Sequence, residues 1–357
     1  MLIRSTLVAA SLWALSSYSA LANFADIVSK TKDSVCLVTF NNTGIAFPGL
    51  PEKPKEDFTP KKPNPFDEYL KENQLLEAPV GAGTCFIITH QGKKYIVTNH
   101  HVAKNKEQVY KITFHEQIKH YPATLIANDK ISDLAVLELS DTEGQRQLNN
   151  MPAVEWGDSE KLRSGDSIYA IGHPLSMGWS VTKGIVSFNG RRLQNTWQAV
   201  IQSDVSINTG NSGGPMFDMY GKVIGVNSFI FSPGTVAGSI GINFSVDGNQ
   251  AQYIVGHLLK YGKVKRSRMG LAYAIDKDAG HFEVSAIQPG GPAERADLKV
   301  GDLLLKINGR FVINQASIGK AMDKVMPDTE IEVVIERENE ILVKKITTAL
   351  VDELINY

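Results

Sequence analysis

Three short segments carry residue types that together suit acyl-transfer chemistry. In Asn208-Thr209-Gly210-Asn211-Ser212-Gly213-Gly214-Pro215 a serine lies among glycines, flanked by the strand-like runs Ala199-Val200-Ile201 and Lys222-Val223-Ile224-Gly225-Val226. Glycine permits a tight turn whose backbone N–H groups converge on one point, which is what a developing oxyanion requires. Upstream, the apolar run Tyr95-Ile96-Val97-Thr98 leads into Asn99-His100-His101-Val102. Between them, Ile131-Ser132-Asp133 opens the alternating run Leu134-Ala135-Val136-Leu137-Glu138-Leu139. A serine hydroxyl is a weak nucleophile at neutral pH and needs an adjacent base. Imidazole can take that proton and return it to a leaving amine. A carboxylate fixes the imidazole tautomer and stabilises the imidazolium. Each segment alone has an ordinary explanation: a Gly-rich turn, a packing histidine, a capping aspartate. All three at strand ends in one chain are harder to reach by accident.

The order His, Asp, Ser is that of the chymotrypsin arrangement, not of subtilisin or the α/β-hydrolases. Further segments carry a resemblance to the HtrA/Deg family of serine proteases across nearly the whole chain. They are Trp156-Gly157-Asp158-Ser159, Ala170-Ile171-Gly172-His173-Pro174, Val181-Thr182-Lys183-Gly184-Ile185-Val186-Ser187 and Gln202-Ser203-Asp204-Val205-Ser206-Ile207 leading into the serine turn. The resemblance implies a catalytic triad of His101, Asp133 and Ser212, with His101 chosen over His100 and Asp133 over Asp129. It implies an oxyanion hole at Gly210, Asn211 and Ser212. The chain departs from the family pattern at His100 and His173, where Asn is common, at Cys85, where Gly is usual, and at Thr209, where Pro is common. No triad atom is lost.

The resemblance also implies a mainly β fold: two six-stranded antiparallel β-barrels of the trypsin-like kind, over residues 23–258, followed by one PDZ domain (α+β) over 266–350. A linker over 259–265 separates them. The PDZ-like stretch is carried by Ile287-Gln288-Pro289-Gly290-Gly291-Pro292-Ala293 and Val300-Gly301-Asp302-Leu303-Leu304-Leu305, and its carboxylate-binding turn would be Arg268-Met269-Gly270-Leu271. Asp297 stands where Gly is usual. PDZ domains add an extended C-terminal tail to a sheet edge. The alternative is a domain that only spaces or stabilises the protease.

The chain has 357 residues, too many for one typical domain. With 43% hydrophobic and 21% charged residues it has an ordinary globular composition. A formal net charge of −1 and the lack of a large basic block argue against a nucleic-acid partner. The N-terminus reads as a secretory signal over 1–22. Arg4 precedes an apolar run from Leu7 to Leu15, and Ala20-Leu21-Ala22 is a small-x-small cleavage site. An uncleaved membrane anchor is the alternative; Ser11, Ser16, Ser17 and Ser19 argue against it. A periplasmic location follows as the expectation. Cys36 and Cys85 lie in apolar strand-like runs and could pair in an oxidising compartment or sit as buried hydrophobes.

Residues 30–40 suggest a first strand. Residues 41–80 are rich in Pro and charge and cannot bury enough apolar surface to order themselves. They form either a passive insertion or a regulatory loop anchored by Phe58, Phe66, Tyr69 and Leu70. From about 80 to 247, short apolar runs alternate with turns, the rhythm of a β-barrel architecture. Residues 248–260 suggest a closing helix, and 261–268 a basic linker.

His115-Glu116-Gln117-Ile118-Lys119-His120 is one residue too long for a helical zinc motif, so both histidines are expected at the surface. No metal and no cofactor is expected. The expected function is a secreted serine endopeptidase of protein quality control or stress response. Its substrates would be misfolded or regulatory proteins, with peptide C-termini at the PDZ domain and assembly as a homotrimer or a multiple of it. Ser206 and Ile207 before the nucleophile, with Asp204 outside the pocket floor, point to cleavage after small or medium aliphatic residues. A chaperone or peptide-binding scaffold is the alternative.

Overall fold

Apolar residues that run on without alternation become strands buried on both faces. The computed structural model describes residues 23–41, 80–174, 178–192, 198–208, 210–230, 240–275 and 280–351. The expected signal over 1–22, most of the Pro-rich loop with Phe58, Phe66, Tyr69 and Leu70, and Thr209 lie outside them. The first barrel comprises β1 (Val35–Asn41), β2 (Val80–His90), β3 (Lys93–Thr98), β4 (Tyr110–Phe114), β5 (His120–Asp129) and β6 (Leu134–Leu139), closed in the order β1-β2-β3-β6-β5-β4. Successive side chains of a strand point to opposite faces. In β2, Cys85 and Ile87 fill the barrel interior, while Phe86 and Ile88 join the core between the barrels. In β6, Ala135, Leu137 and Leu139 point inward, and Leu134 and Val136 outward to that shared core. Cys36 and Cys85 face each other across β1 and β2 and form a disulfide.

The second barrel comprises β7 (Ser167–Gly172), β8 (Ser180–Arg192), β9 (Ala199–Ser203), β10 (Pro215–Asp218), β11 (Val223–Ile230) and β12 (Asn243–Asp247). It closes in the order β10-β11-β12-β9-β8-β7. Helices flank the pair. The first, α1 (Phe24–Thr31), is capped by Asn23 and continues into a 3₁₀ turn over Lys32–Ser34. The first strand therefore starts at Val35, not near residue 30. A short helix α2 (Thr142–Asn150) follows β6. The closing helix α3 (Gly248–Tyr261) starts on the Asp247 cap and ends at Gly262 in the left-handed region. Its Ala251, Ile254, Val255 and Leu258 recur at helical spacing and pack into the inter-barrel core. The helix runs through Tyr261, one residue beyond the expected 248–260 and into the first three residues of the expected 259–265 linker.

The remaining residues form β13 (Ser267–Arg268), paired with β20 (Ala349–Leu350), and a sheet of β14 (Leu271–Ile275), β15 (Phe282–Ile287), β16 (Leu303–Ile307), β18 (Glu330–Arg337) and β19 (Glu340–Thr347). The small strand β17 (Arg310–Phe311) pairs with β16, and α4 (Pro292–Arg295) and α5 (Gln315–Met322) cover the core. Asp297 adopts φ +55°, the conformation glycine usually supplies. A short polar side chain tolerates it, and here it also meets Lys344 Nζ at 2.8 Å. Among the described residues, two ion pairs join this unit to the barrels. Arg266 grips Asp129 with both terminal nitrogens, at 2.8 and 2.6 Å, and Arg192 reaches both carboxylate oxygens of Asp323 at 2.7 and 2.5 Å.

Candidate active site

The end of β3 and the turn before β6 bring His101 and Asp133 together. His101 Nδ1 lies 2.8 Å from Asp133 Oδ2 and 3.0 Å from Oδ1, and the His101 backbone N–H donates to Oδ1 at 2.9 Å. The carboxylate thus fixes both the ring and the main chain that carries it. Asp133 is held in turn. It adopts φ +55°, its carbonyl accepts from Asn99 Nδ2 at 2.8 Å, and Ser228 Oγ of β11 donates to its Oδ2 at 2.5 Å. The turn ahead of it is tied by Asp129, which accepts from both the amide and the hydroxyl of Ser132. Burial pushes the Asp129 carboxyl up, but the Arg266 bonds and charge outweigh it and leave the group below its ordinary range. His100 points elsewhere: it is half-buried, its Nδ1 has no hydrogen-bond partner, and desolvation lowers its pKa.

Ser212 comes from the other barrel, in the turn before β10. Its hydroxyl lies 3.4 Å from the carbonyl of Ser228, the residue whose own hydroxyl holds Asp133. One residue therefore touches both the serine and the aspartate. The turn's backbone bonds can be accounted for. The Asn211 amide donates to Asn208 O at 2.9 Å, Gly213 N to Asn227 O at 2.8 Å and Gly214 N to Asn211 O at 3.0 Å. On the opposite sides of these peptide units, Gly210 O accepts from Thr84 Oγ1 at 2.6 Å and Ser212 O from Thr84 N at 2.9 Å. Among the described residues, the Gly210 and Ser212 amides donate to no backbone carbonyl. Among the described residues, these two amides are left to act as donors. The Asn211 amide, included in the expected oxyanion hole, is committed to closing the turn. Gly213 must be glycine: its φ is +84°, and a Cβ would stand 2.1 Å from Thr98 Oγ1.

The remaining sequence expectations divide. Asp204 is exposed, and its Oδ1 accepts from Ile185 N at 2.6 Å, so its carboxylate is occupied on β8. His115 is buried, contrary to the expected surface position, because its ring packs on Trp179 at 4.8 Å; desolvation lowers its pKa. His120 is exposed. At the PDZ-like unit, Met269, Gly270 and Leu271 line a 650 Å³ groove with Tyr273, Ile318 and Met322, between β14 and α5. The Met269 and Gly270 carbonyls are engaged by Ala293 N and Gln288 N. Arg268 also borders the groove but lies on β13. Nothing in the sequence marks Thr84, Asn99 and Ser228 as partners of the site. Thr84 and Ser228 are common polar residues in apolar strands and Asn99 follows the end of β3; only the closed barrels bring them to the site.

Two antiparallel barrels with an Asp-anchored histidine and a serine turn at their junction define the trypsin-like class of serine peptidase. Residues 83–226 match the family described as trypsin-like peptidase domain, and residues 283–337 match the PDZ domain. A probable periplasmic serine endoprotease, DegP-like, from Brucella suis is 31% identical over 354 residues, covering 89% of this chain and 67% of its own. A protein of the same description from Pseudomonas putida is 36% identical over 287 residues, covering 76% of this chain. The chain spans only 56% of that relative's length, and 58% of that of a Marinomonas relative that is 32% identical. Among solved structures, the HtrA-type protease AlgW with tripeptide superimposes with a TM-score of 0.71 at 25% identity, covering 92% of this chain and 97% of its own. The serine endoprotease from Yersinia pestis gives 0.62 at 25% identity, covering 92% and 98%. The chain belongs to the HtrA family of serine proteases. Among the described residues, no helix is long and apolar enough to cross a membrane.

Proposed function

We propose that this chain is a serine endopeptidase in which Ser212 attacks a peptide carbonyl. His101 takes the serine proton and gives it to the leaving amine. Asp133 holds the imidazole with Nδ1 protonated and balances its charge. The Gly210 and Ser212 amides receive the oxyanion. The observation that carries the reading is the Asp133 carboxylate, bonded at once to the His101 ring, the His101 amide and Ser228, whose carbonyl meets the Ser212 hydroxyl. In attack, the Ser212 hydroxyl leaves that carbonyl and turns to His101 Nε2. Catalytic hydrogen bonds commonly tighten only when substrate is bound.

Cleavage follows small or medium aliphatic residues. Buried Ile207 carries no charge and the Asp204 carboxylate is tied to the β8 backbone by Ile185 N, which supports this. Peptide C-termini occupy the apolar groove beside Gly270, and the clients are misfolded or regulatory proteins of the periplasm, met by an oligomer. The names of the relatives and the leader-like N-terminus support the location, and the groove supports the peptide site; the clients and the oligomer rest on the family resemblance.

The test is Ser212→Ala. Casein cleavage and fluorophosphonate labelling should both be lost, whereas cleavage at the parental rate would exclude Ser212 as the nucleophile. Mass spectrometry of the cut sites tests the aliphatic preference, which dominant cutting after Arg or Lys would refute. If the inactive variant still suppresses aggregation of a denatured client, a holding role accompanies the proteolytic one.

A further inference from the structure

We propose that Thr84 is a positioning residue that sets the oxyanion turn from the opposite barrel; this rests on the reading of Ser212 as nucleophile. Thr84 lies on β2 and is fully buried. Its hydroxyl sits between two groups of fixed polarity. The His173 amide can only donate, and meets Oγ1 at 3.1 Å. The Gly210 carbonyl can only accept, and lies 2.6 Å from Oγ1. The hydroxyl proton therefore points to Gly210 O. A chain of aligned donors polarises each member and strengthens the set. The same residue's amide donates to Ser212 O at 2.9 Å, and its carbonyl accepts from Thr98 Oγ1 at 2.8 Å. One threonine thus grips the carbonyls on both sides of Asn211 and binds the end of β3, two residues ahead of His100.

The consequence follows from peptide geometry. Holding Gly210 O toward Thr84 turns the other end of that peptide, the Asn211 amide, toward Asn208 O, where it bonds. This plane is tied at both ends, so the next unit, which carries the Ser212 amide, has a defined direction. Without the hydroxyl, Gly210 O and the His173 amide lose a buried partner. Gly210, at φ +101° and without a Cβ, gives little resistance to turning its peptide toward another donor. The oxyanion donors would then lose their aim while the peptide-binding surfaces stayed in place. No carboxylate or metal is required; a neutral hydroxyl does this because it both accepts and donates.

The experiment compares the full chain with Thr84→Val, which keeps the shape, and Thr84→Ser, which keeps the hydroxyl. The readouts are kcat and KM on a fluorogenic peptide, and the affinity of a peptidyl trifluoromethyl ketone, whose adduct with serine places an oxyanion. Thr84→Val should lower kcat about ten- to a hundredfold, somewhat less than direct loss of an oxyanion donor. KM should stay within about twofold, and ketone affinity should fall by a factor similar to that in kcat. Thr84→Ser should recover most of the rate. Three results would overturn the proposal: a Val variant as active as the parent, Val and Ser variants equally impaired, or a loss confined to KM. Should the Val variant melt early, Thr84→Ala carries the same comparison against Thr84→Ser at lower temperature, and full activity without the hydroxyl again overturns it. Fluorophosphonate labelling of the parent separates the two readings. An active parent not labelled at Ser212 refutes the nucleophile assignment, whereas a labelled parent with an indifferent Thr84 refutes only this one.

Discussion

Ser228 Oγ stands 2.5 Å from Asp133 Oδ2, so a strand of the second barrel holds a carboxylate presented by the first. The bond joins the two barrels beside the proposed path of the proton. Hydrogen bonds to charged groups contribute about 1.5–3 kcal/mol. Ser228→Ala should therefore lower kcat/KM about tenfold or more, chiefly through kcat. Steady-state kinetics on a peptide substrate checks this, and an unchanged kcat would count against a catalytic role for the cross-barrel bond.

Asp133→Asn should lower kcat by about 10⁴, because an amide can donate to Nδ1 and favour the wrong imidazole tautomer. The fold should survive, since Asn tolerates the left-handed backbone that Asp133 adopts at φ +55°. A melting curve beside the kinetics separates the two effects. A large loss of Tm would mean that structure, rather than tautomer, had failed.

The Cys36–Cys85 disulfide closes a separation of 49 residues between adjacent strands. Chain-entropy reasoning gives such a closure about 4 kcal/mol, as an effect on the unfolded state. Replacing both cysteines with Ala should lower Tm markedly, with added loss from the emptied barrel core. Reductant should destabilise the parent and leave the double variant unmoved, which differential scanning calorimetry would show.

Arg192→Ala should loosen the docking of the PDZ-like unit. The Arg192 side chain is 6% exposed and that of Asp323 25%, and removing the guanidinium leaves a partly buried carboxylate with less compensation. Burial already pushes the Asp323 pKa up against the opposing pull of Arg192. A loss of about 1–3 kcal/mol is expected. Limited proteolysis at residues 262–266 should accelerate, and unchanged cutting would place the docking energy elsewhere.

Stability should fall as pH drops below about 6.5. Burial lowers the His115 pKa from its ordinary 6.5, so the unfolded chain takes up the proton first. The neutral buried form's advantage is complete above that pH and is lost as pH falls toward the lowered folded value. His173 and His257 are lowered by burial in the same direction. His115→Phe keeps the packing on Trp179 and removes one titration. Its Tm should decline less between pH 7 and pH 5 than that of the parent; an identical decline would assign the effect to the other histidines.

Legibility in the sequence followed the range of the interactions. The β-rich rhythm and the closing helix could be read because alternation and helical spacing are local. The start of the first strand is misplaced in the sequence reading because residues 29–34 carry no apolar side chain whose spacing could mark where α1 and its 3₁₀ turn give way to β1. His115 was misassigned for a different reason: its burial comes from Trp179, far along the chain.

The residues themselves determined the types of chemistry on offer: a serine in a glycine turn, an imidazole, a carboxylate and two cysteines in apolar strands. Only the tertiary structure decided which atoms meet. It set the His101 ring, as the resemblance implied, against Asp133, spent the Asn211 amide on its own turn, joined Cys36 to Cys85, and brought Thr84 and Ser228 to the junction. Side-chain identity is a property of each position, but a hydrogen bond between residues 84 and 210, or 133 and 228, exists only after two closed sheets have packed face to face.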